Sequence, residues 1–193
     1  MEHPINKLNN FICGWYIEPK ICKDLIKYFD KSDKTNPGII YMNNISGVHK
    51  NIKSSTDLLI TPNNNDTEIV NYKKEIGKVV NKYKEKYIYC DEGQSPWSLV
   101  NNFNLQKYKP NEGYFGYHCE RGSKITYNRH LVFMTYLNTV NDGGQTEFYY
   151  QKLKVKPEIG LTLIWGSDWT FTHRGITSKT ETKYIATGWL DYI

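Results

Sequence analysis

The stretch RHLVFMTYLNTVNDGGQTEFYYQKLKVKPEIGLTLIWG, residues 129–166, decides the fold class. It holds three apolar or alternating runs, at 129–138, 146–156 and 160–166, divided by NDGG and KPEIG. Short runs rich in β-branched and aromatic residues, bounded by Gly, Pro, Asn and Asp, read as antiparallel strands joined by turns. Gly143 and Gly144 supply the positive φ that such a turn needs, and Pro157 with Gly160 punctuates the next one. Outward from this stretch the same pattern recurs in SLVNNFNLQKY (98–108), GYFGYHCE (113–120) and KYIATGWLDYI (183–193), with KPNEG (109–113) as a further turn. Everything from about residue 97 is therefore expected to be β. Many antiparallel strands at this spacing favour a sandwich or jelly roll over an open sheet, because double layering or closure hides the strand edges.

The first half of the chain reads differently. FICGWYI (11–17) has the character of a strand, and Pro19 then opens a segment with Ile21, Cys22, Leu25, Ile26 and Phe29 at helical spacing. Residues 31–66 are rich in Asn, Ser, Gly and Pro, with brief strands expected at GIIYM and DLLI, and form a candidate lid. From Thr67 to Tyr87 the residues Ile69, Tyr72, Ile76, Val79, Val80, Tyr83 and Tyr87 fall on one helical face, a stripe expected to be core. Asn65 with Glu68 is the expected capping pair, and Gly77 costs this helix about 1 kcal/mol relative to alanine. The expected class is α+β: one domain of 193 residues, with supporting strands and helices in 1–94 and a jelly-roll core in 95–193.

Composition sets outer limits. With 39% hydrophobic and 15% aromatic residues the chain is globular rather than disordered. The net charge of +5 sits in the first half and permits a polyanionic partner without demanding one, so nucleic acid ranks below other partners. Cys13, Cys22, Cys90 and Cys119 form no Cys-x-x-Cys pair, and there is no secretory leader pattern after Met1 and no long apolar run. A reducing, cytoplasmic setting with no membrane partner is the expectation. The abundance of Asn, Lys, Ile and Tyr fits an AT-rich genome, viral or bacterial.

The chemistry lies in three residues. His118 and Glu120 are two apart on an expected strand, so their side chains leave one face and converge. His173 follows just after GLTLIWG. Two imidazoles and one carboxylate on one side of a metal leave three positions open, which suits non-haem Fe(II) and oxygen chemistry. A lone histidine among aromatics is more often a packed residue than a ligand. The set gains weight from Lys183, ten residues after His173, on a final strand whose Lys183, Ile185, Thr187 and Trp189 share one face.

At HCE (118–120), YLN (136–138), GGQTEF (143–148) and His173 with Lys183, the sequence resembles the prolyl 4-hydroxylase branch of the 2-oxoglutarate/Fe(II) oxygenases, over roughly residues 95–193. The resemblance implies a double-stranded β-helix (jelly-roll, cupin-like) core, Fe(II), 2-oxoglutarate and O2, with ascorbate as a possible reductant. It implies a dioxygenase that hydroxylates a C–H bond, first of all in a peptidyl proline, releasing succinate and CO2. By the same resemblance His118, Glu120 and His173 hold the metal, Lys183 pairs with the distal carboxylate of 2-oxoglutarate, and Tyr108 and Tyr136 add hydroxyl hydrogen bonds. Thr146 and Trp189 line the cavity. A cation belongs there because a charge-assisted bond in a dry barrel is strong.

One departure stands out: Glu120 occupies a position where the family pattern has Asp, so the longer side chain must fold or the backbone must sit back. Glu147 is an alternative carboxylate but is expected on the opposite face, and Cys119 reads as packing or as a soft ligand if the strand is displaced. Arg174 reads equally as a contact to substrate and as a solvent salt bridge. Trp165 reads as core, and Trp169 as either core or a wall of the substrate cleft. The rival readings are an oxygenase acting on another amino acid or a nucleobase, and a silent jelly roll that binds a partner.

Overall fold

The structure is a computed structural model that describes residues 3–7, 10–42 and 45–193; the start of the chain at Met1 and Glu2, and Asn43 and Asn44 of the 31–66 segment, lie outside them. Its largest sheet runs in the order Cys13–Tyr16, Leu161–Gly166, Arg129–Tyr136, Lys183–Tyr192, Phe103–Tyr108, Thr56–Ile60 and Asn36–Pro37, and Trp97–Ser98 also pairs with Lys183–Tyr192. A second sheet of three strands has Thr146–Phe148 between Leu153–Val155 and His173–Gly175. All these pairings are antiparallel. This is the jelly-roll core with supporting helices that the turn and strand pattern led us to expect.

The alternation in Arg129–Tyr136 explains why its middle, Leu131–Met134, is an unbroken apolar run. Leu131 and Phe133 enter one core, shared with the helices, while Val132, Met134 and Tyr136 enter another, shared with Phe148, Val155, Leu163 and Trp165 between the two sheets. A strand buried on both faces carries a continuous hydrophobic run instead of an in-out alternation.

Two helices pack on the outer face of the large sheet: α1 (Pro19–Lys31) and α2 (Thr67–Lys86). Ile69, Tyr72, Ile76, Val79, Val80 and Tyr83 of α2 are buried, so the predicted stripe is the core contact. Tyr72 Oη is 2.9 Å from Thr135 Oγ1, which lies 2.8 Å from Thr162 Oγ1, and these bonds fix α2 over the central strands. The expected Asn65–Glu68 capping pair is not formed. Asp66 is the N-cap and its side chain makes no cap bond, because its carboxylate instead accepts from Tyr28 on α1 at 2.6 Å. A tertiary partner has displaced a local one.

Three other expectations need correction. TEFYYQKLKVK is a hairpin of Thr146–Phe148 and Leu153–Val155, turning through Lys152 at φ 49°. GYFGYHCE is not one strand: Gly113–Tyr114 pairs with Lys53–Ser54, and His118 forms an isolated antiparallel bridge to His173. SLVNNFNLQKY is not one strand: Ser98 ends the short strand Trp97–Ser98, and the next begins only at Phe103. The 31–66 segment supplies cavity wall: Thr56–Ile60 joins the large sheet beside Phe103–Tyr108, and Asn36, Pro37, Ile39 and Leu59 line the cavity. The four cysteines are free, and no helix among the described residues is long and apolar enough to cross a membrane.

Candidate metal and co-substrate site

The bridge between His118 and His173 brings two distant parts of the chain into register. The amide of His118 donates to the carbonyl of His173 at 3.0 Å, and the reverse bond is 2.9 Å. Each ring then turns its Nδ1 to a nearby carbonyl: Gly116 O at 3.0 Å for His118, and Phe171 O at 2.9 Å for His173. A carbonyl can only accept, so Nδ1 carries the proton in the neutral ring and Nε2 presents a lone pair. Glu120 Oε1 lies 3.4 Å from His118 Nε2 and 3.5 Å from His173 Nε2.

Three lone-pair donors therefore converge with no proton between them. Burial and the neighbouring His173 lower the pKa of His118, which keeps it neutral. A cation about 2.1 Å from each donor at right angles needs donors about 3 Å apart, close to the spacings observed. All three donor atoms lie within 4.8 Å of one another, so this set can hold a metal ion.

Packing sets the ring planes. Tyr114 stacks on His118 with centroids 3.7 Å apart and planes 8° from parallel. Trp165 and Phe148 flank His173 at 5.2 and 5.6 Å. Glu120 is held from behind: its Oε2 accepts from Trp189 Nε1 at 2.9 Å and from Arg129 Nη1 at 3.4 Å. Arg129 also donates to the Glu120 carbonyl at 2.8 Å, and its guanidinium lies 3.5 Å from the Trp189 ring centre.

A cavity of about 1110 Å³ joins this cluster to Lys183. Lys183 is 5% exposed, and its ammonium donates to Gly144 O at 2.9 Å. It faces the Tyr108 ring and pairs with no carboxylate among the described residues; desolvation alone lowers its pKa to about 8. A buried ammonium with no counter-charge suits a carboxylate ligand.

Lys183, Ile185, Thr187 and Trp189 all line the cavity, as their strand register predicts, and so do Thr146, Tyr108 and Arg174. Tyr108 donates its hydroxyl to Gln106 Oε1 at 2.7 Å. Tyr136 does not reach the cavity: it is fully buried one layer behind, with its hydroxyl bonded to Thr146 Oγ1 at 2.6 Å. Trp169 is not core: it is 64% exposed against Tyr150 and does not line this cavity. Arg174 binds Glu147 at 2.7 Å and stacks on Tyr117, and Glu147 also meets Lys154, which places that carboxylate outside the donor cluster. Cys119 lines the cavity but does not belong to the donor cluster.

Sequence reasoning missed Arg129, Tyr114 and the buried Lys53–Asp57 pair, whose Asp57 accepts from Gln106 at 3.2 Å. Arg129 is visible in the sequence only as a polar start to an apolar strand, and Tyr114 as one of 16 tyrosines.

Residues 103–191 match the model of the 2OG-Fe(II) oxygenase superfamily. A search of curated protein sequences gives no match. Among solved structures, a Pseudomonas putida prolyl-4-hydroxylase superposes with a TM-score of 0.72 at 15% identity, covering 98% of this chain and 96% of that one. The viral collagen prolyl hydroxylase of Paramecium Bursaria Chlorella virus-1, in its 2OG complex, gives 0.69 at 19%, covering 96% and 98%. A Trichoplax adhaerens prolyl hydroxylase bound to a hypoxia inducible factor peptide fragment gives 0.74 at 17%, covering 97% and 86%. At these identities the likeness is one of fold. The stretch that matches the family model carries His118, Glu120, His173 and Lys183 alike, and over nearly its whole length the chain shares its fold with these prolyl hydroxylases.

Proposed function

We propose that this 2-oxoglutarate-dependent dioxygenase hydroxylates a prolyl residue of a peptide, within a single catalytic domain, using His118, Glu120 and His173 as metal ligands and Lys183 as the anchor of the co-substrate. The observation that carries the reading is the pairing, in one cavity, of three converging lone-pair donors with a buried ammonium that lacks a counter-charge. One end asks for a cation and the other for an anion.

When bound, Fe(II) with 2-oxoglutarate supplies the oxidising power, coupling O2 reduction and C–H hydroxylation to loss of CO2 and release of succinate. The chain's own residues do the rest. Lys183 donates to the distal carboxylate while retaining its tie to Gly144 O, and the Tyr108 ring screens that ammonium from water. Thr146, fixed by Tyr136, lines the path between Lys183 and the donors. Gly116 O and Phe171 O hold the two imidazoles in the tautomer that leaves Nε2 free. The rim formed by Asn36, Pro37, Ile39, Leu59 and Asn104 is neutral and suits an uncharged peptide segment. The prolyl hydroxylase folds of the structural relatives support the choice of proline.

The test is a proline-peptide screen by mass. A gain of one oxygen atom that requires both Fe(II) and 2-oxoglutarate, and that disappears in His173→Ala, is the expected result. Succinate release without any oxygenated proline peptide would overturn the substrate, and undiminished turnover in His173→Ala would overturn the site.

A further inference from the structure

We propose that Arg129 and Trp189 are positioning residues that keep Glu120 a one-oxygen ligand. This inference rests on the reading of Glu120 as a metal ligand. A glutamate has one more rotatable bond than an aspartate, so nothing in the side chain itself decides which oxygen, or how many, meets a cation. Here the choice is made by the surroundings. Oε1 faces the two Nε2 atoms at 3.4 and 3.5 Å, whereas Oε2 is turned away and bonded to Trp189 Nε1 at 2.9 Å and Arg129 Nη1 at 3.4 Å.

The clamp is tied into the sheet on both sides. Arg129 begins the strand that ends at Tyr136, and Trp189 lies on the adjoining strand Lys183–Tyr192, paired with Val132. The Arg129 guanidinium covers the Trp189 ring at 3.5 Å and also holds the Glu120 carbonyl at 2.8 Å, so the same group fixes the backbone and the carboxylate of that residue. Glu120 N and Arg121 N both donate to Ser167 O, at 3.0 and 2.8 Å, which anchors the backbone from the opposite side. The extra methylene is thereby held in one folded arrangement.

The consequence is a matter of coordination number. With Oε2 engaged, the protein would fill three positions of a six-coordinate ion and leave three open for co-substrate and O2. Without the clamp, Glu120 is free to add its second oxygen and close one of them. Partners of this kind typically change metal affinity by about 10–100-fold.

The experiment uses the full chain loaded with Co(II), whose visible spectrum reports coordination number, and titrates 2-oxoglutarate calorimetrically. Trp189→Phe keeps a ring for Arg129 to cover but removes the N–H; Arg129→Gln is the second variant should the first not fold. The expected result is an altered Co(II) spectrum with about tenfold weaker 2-oxoglutarate binding, and a metal-free protein that still melts cooperatively, within roughly 10 °C of the wild type. In Glu120→Asp, where no folded methylene remains to be held, Trp189→Phe should have a smaller effect. Wild-type spectrum and affinity in both clamp variants would overturn the clamp. Failure of the wild type to bind Co(II) more tightly than His173→Ala would overturn the underlying metal site instead, so the two failures are distinguishable.

Discussion

Lys183 stands directly across the strand pair from Tyr108, with its ammonium 5.0 Å from the centre of the phenol ring. Its hydrogen bond is to the carbonyl of Gly144, a residue of the turn that the sequence marks with two glycines. The strand register therefore places a cation against an aromatic wall, with a neutral acceptor where a carboxylate partner would ordinarily be. Replacing Lys183 by Met should weaken 2-oxoglutarate binding by about 100-fold, the loss of a charge-assisted bond worth roughly 2–3 kcal/mol. The metal-free variant should melt no lower than the wild type, since the substitution also removes a buried charge. Calorimetric titration and thermal melts check both; unchanged affinity would remove Lys183 from the site.

The depressed pKa of Lys183 predicts a pH dependence. Desolvation lowers it from 10.5 to about 8, so below that pH the ammonium is charged and ready for a carboxylate. Affinity for 2-oxoglutarate should be level below about pH 8 and fall above it, by up to about tenfold per pH unit. For the metal-free protein without ligand the sign is opposite. Between about 8 and 10.5 the unfolded chain binds this proton and the folded one does not, so the contribution of this group to stability rises with pH. Affinity measured across that range in wild type should bend near 8, and the Lys183→Met curve should be flat.

Metal binding should stabilise the fold. An ion present at 100 times its dissociation constant raises stability by about 2.7 kcal/mol when it binds only the folded state. Mn(II) or Fe(II) under anaerobic conditions should raise the melting temperature of the wild type, chelation should reverse this, and His118→Ala or His173→Ala should abolish the shift. A shift that persists in both variants would place the ion elsewhere.

Two glycines should respond in opposite directions to alanine. Gly143 has φ 77°, and an added Cβ would lie 2.1 Å from Thr177 O, so Gly143→Ala should cost about 2–3 kcal/mol and lower the melting temperature by roughly 5–10 °C. Gly77 is exposed within α2 and a Cβ there meets nothing within 4 Å, so Gly77→Ala should add about 1 kcal/mol. Chemical denaturation of both variants provides the comparison.

Tyr136→Phe removes the bond to Thr146 Oγ1 in a fully buried layer. It should cost about 1 kcal/mol of stability and leave 2-oxoglutarate affinity within about threefold, because the hydroxyl does not reach the cavity. A loss of affinity comparable to that of Lys183→Met would show that Tyr136 acts directly on the co-substrate.

The local pattern of residues carried most of the architecture. Period-two strands, glycine turns and the apolar stripe of Thr67–Lys86 were readable because each depends on neighbours in sequence, and the shared face of Lys183, Ile185, Thr187 and Trp189 followed from strand geometry alone. What needed the tertiary structure was everything set by partners far away in the chain. Asp66 left its helix end for Tyr28, and Tyr136 turned its hydroxyl to Thr146 instead of the cavity. His118 came to face His173 through a single bridge and not through a continuous strand. Glu120 shows the division most clearly: the sequence by itself determined that a carboxylate sits two residues after a histidine. Which oxygen faces the donors was decided by Trp189 and Arg129, because a side chain with free torsions is oriented by the groups that three-dimensional packing brings to it.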